Sequence, residues 1–497
     1  MMDLSAALTA ELSTRLRGEG ERHRIVSDTL LELIRDGRIA AGQRLPAERT
    51  LATALGVSRT TVVRAYASLE AISALDRRVG SGSYVTSAPG AATLPRMMDL
   101  TDGTADREPA HSQGLINLSI STPAVLGEMR EAIRSTADEV FARAMLATQH
   151  TEGEPELRAW VADWYTRRGL PTDPAQVLIT AGAQQGLAMS TQLLRRRTAP
   201  FVVEAPTYLG LLDLARMRRA RLLSVPALTD PERIAAAAEH VAGQAQPLFY
   251  VMTTCHTVTG HSMPAGDREL LARLVHDSGG LVVDDDILAD QLFEPATAPP
   301  LAAFLDERRV ITVGGTSKLL WDGLRVGWLR APQSLIQSLV RMKSAYDLGT
   351  SVISQLVALE LLQRADEIGA RRVDEARTKL ALTTSLLRER MPEWSWQEPH
   401  GGRSLWVELP AGSDAARFAA QAVGSGVAVA TGETFTGNGS HRDHLRIGFV
   451  QPAPALAEGL ARLAATWAGY ADDTARSATS PARRRTPSAI WGSDAAL

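Results

Sequence analysis

Apolar residues recur at helical spacing in three stretches near the amino terminus. The stretches cover residues 22–36, residues 47–55 and a run that begins after Ser58, and a short segment with a glycine turn follows at residues 76–85. Gly56 is suited to end the second helix and Ser58 to cap the third, so a tight turn joins these two helices. A helix, a helix-turn-helix and a basic hairpin in this order predict a winged helix-turn-helix domain.

From about residue 115 to residue 470, short apolar runs alternate with long helical stretches. Each run is bounded by polar or turn residues, which indicates a mostly parallel sheet covered by helices on both faces. In such sheets, ligands bind at the carboxyl ends of the strands. The five strand-like runs are residues 177–180, 201–204, 247–252, 281–283 and 310–313.

The segments around these two regions lack periodicity. Residues 1–20 are interpreted as an arm, and residues 87–114 are rich in Pro, Gly, Asp and Thr, as flexible linkers are. The tail at 471–497 is rich in Ala, Ser, Thr and Pro and is predicted to be disordered. The chain therefore divides into a winged-helix domain at 21–86 and a larger domain at 115–470.

The composition is typical of a soluble globular protein with two or three domains. The chain has 497 residues, of which 45% are hydrophobic and 22% charged. A formal net charge of -3 gives no global sign of nucleic-acid binding, so such a site must be local. One cysteine, Cys255, excludes an internal disulfide, and no apolar run reaches membrane-spanning length. These features, with no secretory signal in the first 20 residues, predict a cytoplasmic protein.

Lysine is rare: Lys318, Lys343 and Lys379 are the three lysines among 53 lysine and arginine residues. Lys318 lies between a strand-like run and a glycine-rich stretch. Arginine replaces lysine in ion pairs and phosphate contacts, but it cannot form a Schiff base with an aldehyde. Because Ser317 adds a hydroxyl and Arg325 a permanent cation, the stretch suits an aldehyde cofactor that carries a phosphate. A leftover surface lysine is the alternative.

Small, aromatic and acidic residues follow the other strand-like runs. Ala183 and Gln184 lie in a turn into a helix, where backbone N–H groups suit a phosphate, although ordinary strand-to-helix packing gives the same pattern. Tyr208 places a ring after the second run. Asp285 is the middle of three aspartates at 284–286, and because strand side chains alternate it faces away from the other two. A single carboxylate in a pocket would keep a pyridine nitrogen protonated, whereas a metal site lacks a matching histidine cluster.

Residues 45–85 resemble the winged-helix domain of the GntR family. The resemblance rests on "LPAERTLATALGVSRTTVVRAYASLEA" followed by "RRVGSGSYV", and Ser73 stands where the family usually has a glycine before the wing. Arginine can pair with guanine, and threonine hydroxyls can bind phosphate. The resemblance implies that double-stranded DNA is contacted by Arg49, Arg59, Thr60, Thr61 and Arg64, with Gly82 at the wing tip.

The larger domain resembles the fold-type I aminotransferases, which bind pyridoxal 5′-phosphate. The pieces that carry this resemblance, in family order, are "TEGEPELR", "LITAGAQQGL", "VEAPTYLG", "VVDDDILAD", "GGTSKLLWDGLRVGWL", "PHGGRSLWVELP" and "LRIGFV". It implies an α/β domain with a small carboxyl-terminal α+β subdomain. The resemblance implies that Lys318 forms a Schiff base with the cofactor, that Asp285 binds its pyridine nitrogen and that Tyr208 stacks on its ring. It also implies that the phosphate is bound by the backbone of Ala183 and Gln184 together with Ser317 and Arg325. Arg446 is implied to bind the carboxylate of a substrate.

Two positions depart from the aminotransferase pattern. Thr257 stands where the family has an asparagine, and Leu288 stands where it has a tyrosine. Both family residues hydrogen-bond the phenolic oxygen of the cofactor and help to set the pKa of the Schiff base. His256 either compensates for them or has a structural role. The departures are compatible with cofactor binding and argue against efficient transamination.

A GntR-type winged helix joined to an aminotransferase-like domain resembles the MocR subfamily of transcriptional regulators. The resemblance implies a homodimer, with each subunit contributing to its partner's site, that binds promoter DNA and senses pyridoxal phosphate or an amine or amino acid. One alternative is an active aminotransferase acting on an amino acid. Another is a regulator that has lost the cofactor and uses its large domain only to dimerise.

Overall fold

The chain forms two compact units in the computed structural model, Met1–Asp99 and Leu100–Leu497. The predicted arm at 1–20 and the linker up to residue 113 lie outside the residues that the structure describes, as does Ser73. The described residues are 22–35, 39, 43–71, 75–78, 82–85, 114–145, 150–195, 199–296 and 298–479.

Three helices and a hairpin form the amino-terminal unit, as the apolar pattern predicts. The elements are α1 (Arg22–Arg35), α2 (Glu48–Leu55), α3 (Arg59–Ala71), β1 (Leu75–Arg78) and β2 (Gly82–Val85). Tyr66 is fully buried on α3 and donates its hydroxyl hydrogen to the carbonyl of Pro46 at 2.8 Å. This bond fixes α3 against the turn that precedes α2.

The connection between α2 and α3 has both of the predicted caps. Gly56 ends α2 in the left-handed conformation, with φ of 63°. The hydroxyl oxygen of Ser58 accepts the N–H of Thr61 at 3.1 Å and so satisfies one of the unpaired donors at the start of α3.

A further segment completes the wing. Arg44 pairs with Tyr84 in an antiparallel bridge, and the N–H of Leu45 donates to the carbonyl of Ser83 at 2.9 Å. The hairpin is therefore joined by backbone hydrogen bonds to the turn before α2, and does not rely on its own two strands alone.

A seven-stranded sheet is the centre of the larger unit. After a short strand β3 (Ile116–Asn117), its strands are β4 (Val177–Thr180), β5 (Phe201–Ala205), β6 (Leu222–Pro226), β7 (Leu248–Val251), β8 (Leu281–Asp285), β9 (Val310–Gly315) and β10 (Gly327–Arg330). They are arranged in the order β4-β10-β9-β8-β7-β5-β6, and β10 is antiparallel to both of its neighbours while the others share one direction. The five predicted runs are all strands. The apolar pattern misses β6, which is a half-exposed edge strand, and β10, which lies in the glycine-rich stretch.

Helices cover both faces of this sheet. Along β4, Val177 and Ile179 pack into one apolar cluster, and Leu178 packs into another on the opposite face. The helices of this part of the unit are α4 (Met129–Ser135), α5 (Ala137–Met145), α6 (Pro155–Arg167), α7 (Ala183–Leu194), α8 (Leu209–Met217), α9 (Pro231–Val241), α10 (Ala265–Asp277), α11 (Gln333–Tyr346) and α12 (Val352–Leu362).

The end of the chain forms a small α+β subdomain with its own apolar core. Its elements are α13 (Ala365–Arg390), β11 (Ser395–Trp396), β12 (Ser404–Glu408), α14 (Ala415–Gly424), β13 (Val427–Ala428), β14 (Ala430–Thr431), β15 (His444–Gly448) and α15 (Ala453–Thr479). The sheet order is β11-β12-β15-β14, and β13 pairs in parallel with β3. The first strand of the larger unit thus belongs to the subdomain that the last residues build.

The last helix passes the boundary predicted at residue 470. Residues 471–479 continue α15 to Thr479, so the first part of the expected disordered tail is helical. These nine residues contain neither glycine nor proline and include three alanines, which favours continuation of the helix. Residues 480–497 lie outside the described part of the chain. Among the described residues, no helix is long and apolar enough to cross a membrane.

Candidate functional site

The three consecutive aspartates at the end of β8 face different surroundings. Asp284 accepts a hydrogen bond from the hydroxyl of Thr253 at 3.1 Å, and Asp286 forms a buried ion pair with Arg168. The side chain of Asp285 points the other way, as the alternation of side chains along a strand predicts. In the part of the chain that the structure describes, no group of three or more His, Cys, Asp and Glu residues could hold a metal ion.

Asp285 is a buried carboxylate with two hydrogen-bond donors. The hydroxyl of Tyr250 donates to Oδ2 at 2.7 Å, and the N–H of Ile287 donates to Oδ1 at 3.1 Å. Burial raises the pKa of Asp285 to about 6, and the Tyr250 hydrogen bond opposes that rise. The carboxylate is thus held ionised near neutral pH and is oriented from both sides.

Lys318 lies in the turn after β9. Its Nζ donates to the hydroxyl of Thr122 at 3.1 Å. Part of the side chain remains accessible, but protein atoms surround the amine, and this burial is the main cause that lowers the pKa of Lys318 to about 8. The neighbouring cation of Arg446 lowers the pKa further. The amine therefore loses its proton more readily than an ordinary lysine does.

The turn that carries Ser317 and Lys318 is held beside the segment that leads into β10. Both the N–H and the hydroxyl of Thr316 donate to the carbonyl of Val326 at 3.0 Å. Ser317 is buried. Since Val326 follows Arg325 directly, the Ser317 hydroxyl and the Arg325 guanidinium belong to segments that are bonded to each other.

Two glycines keep the space at the start of α7 free of side chains. A Cβ added to Gly182 would lie 2.5 Å from Nη2 of Arg325, and a Cβ added to Gly327 would lie 2.5 Å from the backbone nitrogen of Ala183. The first N–H groups of a helix have no partner within it. The Arg325 guanidinium and the amides at the start of α7 therefore converge on one small region, which suits a phosphate.

Tyr208 directly precedes α8, and its ring lies close to Gly210 and Gln184. A Cβ on Gly210 would lie 2.5 Å from Cε1 of the Tyr208 ring, and Nε2 of Gln184 donates to the Gly210 carbonyl at 3.0 Å. Burial, followed by the charge of Asp285, raises the pKa of Tyr208 above its ordinary value, and Arg325 opposes the rise. The Tyr208 ring thus lies among the other predicted cofactor residues.

Arg446, on β15 of the small subdomain, is a buried arginine with unused hydrogen-bonding capacity. Its Nη2 donates to the carbonyl of Ser119 at 2.6 Å, and its guanidinium carbon lies 4.4 Å from the ring centre of Phe435. Burial lowers the pKa of Arg446 to about 10. Its Nε is buried without a hydrogen-bond partner among the described residues. An unpaired buried donor on a cation is costly, and a carboxylate would satisfy it.

The structure gives His256 a structural role. Its Nδ1 accepts the N–H groups of Val258 and Thr259, each at 3.2 Å, and burial lowers its pKa to about 3. His256 is therefore neutral and shapes the loop that carries Thr257. Leu288 is buried and has no hydroxyl, so it does not supply the hydrogen bond of the family tyrosine.

Several site residues escaped the sequence pattern. Tyr250 lies within the apolar strand β7, and the sequence pattern does not distinguish it from its neighbours. In the structure its hydroxyl orients Asp285. Thr122 and Ser119 lie in a polar stretch without periodicity, and they contact Lys318 and Arg446 only through the fold. No sequence signal marks these three positions.

The predicted DNA-contacting residues are distributed over three elements of the amino-terminal unit: Arg49 lies on α2, Gly82 on β2, and Arg59, Thr60, Thr61 and Arg64 in the first half of α3. Arg49, Thr60 and Arg64 are exposed, and Arg59 forms an exposed ion pair with Glu48 at 3.4 Å. The Thr61 hydroxyl is 2.8 Å from the hydroxyl of Ser58, so it is already engaged in the cap of α3. Gly82 is the first residue of β2, with φ of 111°.

Two family models match this chain. Residues 113–463 match the model for aminotransferase class I and II, and residues 23–85 match the model for bacterial regulatory proteins of the gntR family. The chain therefore belongs to the class I and II aminotransferase family, and its amino-terminal GntR domain gives it the MocR-type architecture of a transcriptional regulator.

Similar proteins include both regulators and enzymes. The HTH-type transcriptional regulator TauR of Rhodobacter capsulatus is 29% identical over 90% of this chain and 96% of its own length. The 2-aminoadipate transaminase of Thermus thermophilus is 31% identical over 70% of this chain and 89% of its own. The crystal structure of LysN from T. thermophilus, complexed with N-(5′-phosphopyridoxyl)-L-leucine, has 29% identity and a TM-score of 0.65 and covers 75% of this chain and 97% of that one.

The residues present fit a phosphopyridoxyl group. Arg446 Nε is buried without a hydrogen-bond partner in the described residues, and the charge of Arg446 acts on the pKa of Tyr208. The side-chain-free space beside Gly182 faces the Arg325 guanidinium. A phosphate and a carboxylate supply the acceptors that these guanidinium groups need.

Proposed function

We propose that this regulator binds pyridoxal 5′-phosphate in its larger domain and uses it to sense an amine or amino acid that controls DNA binding. The observation that carries the proposal is the convergence of Lys318, Asp285 and Arg446 around Tyr208. The charges of Asp285 and Arg446 act on the pKa of Tyr208 and also on the pKa of Lys318. A region used only for dimerisation has no need of a buried amine, a buried carboxylate and an unsatisfied arginine together.

The residues divide the work of holding the cofactor. Asp285, oriented by Tyr250, would pair with the pyridine nitrogen, and Tyr208 would contact the ring. Ser317, Arg325 and the backbone of Ala183 and Gln184 would hold the phosphate, and Thr257 would stand near the ring oxygen. When bound, the cofactor supplies an aldehyde that reacts reversibly with amines. Lys318 supplies the resident amine, and its lowered pKa keeps part of it unprotonated near neutrality.

The effector class follows from Arg446. Its free Nε suits a carboxylate, and the aldehyde selects a primary amine. A ligand with both groups, such as an amino acid, would satisfy both. Arg446 is hydrogen-bonded to Ser119 and Lys318 to Thr122, so both side chains contact the segment at 119–122. A ligand bound to Arg446 and Lys318 would therefore lie beside that segment.

We include a homodimer in the proposal because apolar side chains are exposed together on the larger unit. Helix α12 packs against α4 and α5, and these helices and the loop before α12 carry several large exposed apolar residues. Those residues are Ile133, Phe141, Met145, Leu348 and Ile353, each more than half exposed. Monomeric proteins rarely expose such a group. As a DNA-binding regulator, the dimer would act in the cytoplasm, where a bacterial chromosome lies.

Active transamination is the second candidate, and the intact Lys318, Asp285 and Arg446 favour it. Leu288 lacks a hydroxyl, and Nδ1 of His256 accepts hydrogen bonds from its own loop, so neither supplies the hydrogen bond of the family residues in the usual way. We expect a slow half-reaction with amino acids at most. Steady-state turnover of about 1 s⁻¹ or faster, as in ordinary enzymes, would contradict the regulator proposal.

One experiment tests the cofactor and the DNA function together. Borohydride should fix the cofactor covalently to wild-type protein and to Lys379→Ala, a control that removes another lysine, but not to Lys318→Ala. Arg64→Ala should retain the cofactor and lose footprinting on the target promoter. Cofactor fixed in Lys318→Ala would show that the wrong lysine is assigned, and full protection by Arg64→Ala would argue against DNA reading by α3.

A further inference from the structure

The side chain of Arg44 lies across Gly82 at the start of the second wing strand. A Cβ added to Gly82 would lie 2.6 Å from Nε of Arg44, 3.1 Å from Nη2 and 3.2 Å from Cζ. Real Cβ atoms essentially never have a contact below 3.0 Å, so the guanidinium would have to move if position 82 carried a Cβ. The guanidinium of Arg44 therefore fills the place that any side chain at position 82 would need.

The backbone explains why the guanidinium is found there. Arg44 pairs with Tyr84, and Tyr84 and Gly82 are two residues apart on β2. Positions two apart on a strand share a face, so the side chain of Arg44 lies on the same face as position 82. Gly82 has φ of 111°, a conformation that residues with a side chain rarely adopt. The backbone of position 82 thus favours glycine, and a side chain there would displace the flexible end of Arg44.

The sequence of the wing contains two further arginines. Arg44 is exposed, and Arg78 stands opposite Gly82 in the backbone register of β1 and β2. Arg77 is the preceding residue of β1. The net charge of the chain is -3, so these arginines are a local excess of positive charge in the sequence.

We propose that Arg44 is a DNA-contacting residue that binds a backbone phosphate beside the groove entered by α3, and that Gly82 acts by seating its guanidinium. The proposal rests on the DNA-binding function above. A guanidinium presents a fixed fork of donors that matches phosphate oxygens. Most protein–DNA hydrogen bonds go to phosphates, and they orient the protein on the duplex. A guanidinium held against the wing backbone is suited to that orienting role.

The test separates a phosphate contact from simple packing over Gly82. The probe is a random-sequence DNA duplex of about three helical turns, titrated with full-length protein in a series of salt concentrations. Arg44→Gln keeps a long polar side chain over Gly82 but removes the charge. We expect it to weaken binding about tenfold and to reduce the slope of log Kd against log salt by about 0.9 for each DNA-binding unit engaged.

Two controls fix the interpretation. Arg44→Lys should keep most of the salt slope because it keeps the charge, and Arg388→Gln, an exposed arginine of the larger unit, should leave binding unchanged. If Arg44→Gln binds DNA with the wild-type slope while Arg64→Ala is weakened, the Arg44 proposal is wrong and the DNA-binding function stands. If neither change affects binding, the winged helix does not bind DNA as proposed, and the Arg44 proposal fails with it.

Gly82→Ala tests the seating role. Its Cβ would displace the guanidinium, so we expect the same loss of slope as Arg44→Gln, with no additional loss in the double variant. Additive losses would instead indicate that the Gly82 backbone itself contacts DNA. Thermal unfolding of each variant shows whether the wing still folds, and Arg44→Gln decides the charge question if Gly82→Ala does not fold.

Discussion

Asp285 and Lys318 are two predicted site residues whose pKa values lie close to the pH of a cell. The pKa of Asp285 is raised to about 6 and the pKa of Lys318 is lowered to about 8, and burial is the main cause of both shifts. Between those values the carboxyl is largely ionised and the amine partly neutral. The states that a pyridinium and an aldehyde require therefore coexist in a narrow pH range.

The pH dependence of cofactor capture follows from Lys318. With a pKa of about 8, roughly one tenth of the amine is unprotonated at pH 7, so capture should be about tenfold slower there than above pH 9. Arg446→Gln removes a cation that lowers this pKa. We therefore expect the midpoint of the pH profile to move to higher pH, as measured by the absorbance of the bound cofactor after rapid mixing. Arg388→Gln should leave the midpoint in place, and an unchanged midpoint in Arg446→Gln would contradict the assigned coupling.

Tyr250 should matter to cofactor retention through its hydrogen bond to Asp285. Tyr250→Phe removes a donor that lowers the pKa of Asp285, so that pKa should rise above about 6. More of the carboxyl is then protonated at pH 6 to 7, and the ion pair with the pyridine nitrogen weakens. Cofactor left after dialysis should fall at pH 6.5 and recover at pH 8. Tyr346→Phe, at an exposed tyrosine, is the control, and equal retention at both pH values would contradict the prediction.

At the scale of elements, the turn between α2 and α3 depends on one left-handed residue. Gly56 has φ of 63°, and a Cβ added there would meet nothing within 4 Å. Gly56→Ala therefore tests backbone conformation alone. We expect it to lower the unfolding free energy of the amino-terminal unit by about 1 kcal/mol, measured by hydrogen exchange in α2 and α3.

Gly279 offers a matched control in the other unit. It has the same φ of 63° and is equally open. Gly279→Ala should leave exchange in α2 and α3 unchanged while destabilising the region around α10. Equal effects of both substitutions on α2 would show that the two units do not unfold separately.

How much of each element is predictable depends on whether its pattern is local. The caps at Gly56 and Ser58 and the five buried strands can be predicted from the sequence, because each depends on residues that are close together along the chain. Strand β10 cannot be predicted in this way, because Gly327 is required by the close approach of Ala183, which belongs to a helix distant in the sequence. The same applies to the Lys318–Thr122 contact, which joins residues 196 positions apart. Motif resemblance located Lys318, whereas only the fold shows what surrounds it.

At the scale of the whole molecule, the exposed apolar residues of α4, α5 and α12 predict association. Phe141→Asp places a charge where 69% of a phenylalanine is exposed, and we expect it to weaken dimerisation by roughly tenfold or more in sedimentation. Met217→Asp, on α8 with 81% exposure, is the control and should not change the association state. A monomeric wild type, or a Phe141→Asp variant that still forms dimers as well as the wild type, would place the interface elsewhere.

The pairing of β3 with β13 has a consequence for how the protein is made. The Ser119 carbonyl and the Arg446 guanidinium are 327 positions apart, so the ribosome must finish almost the entire chain before they can meet. The amino-terminal unit has only short-range contacts and can fold long before that. A nascent chain would therefore carry a folded DNA-binding head for most of its synthesis, while the segment at 116–122 waits for its partners. The proposed ligand control could begin only after the strand that carries Arg446 has emerged.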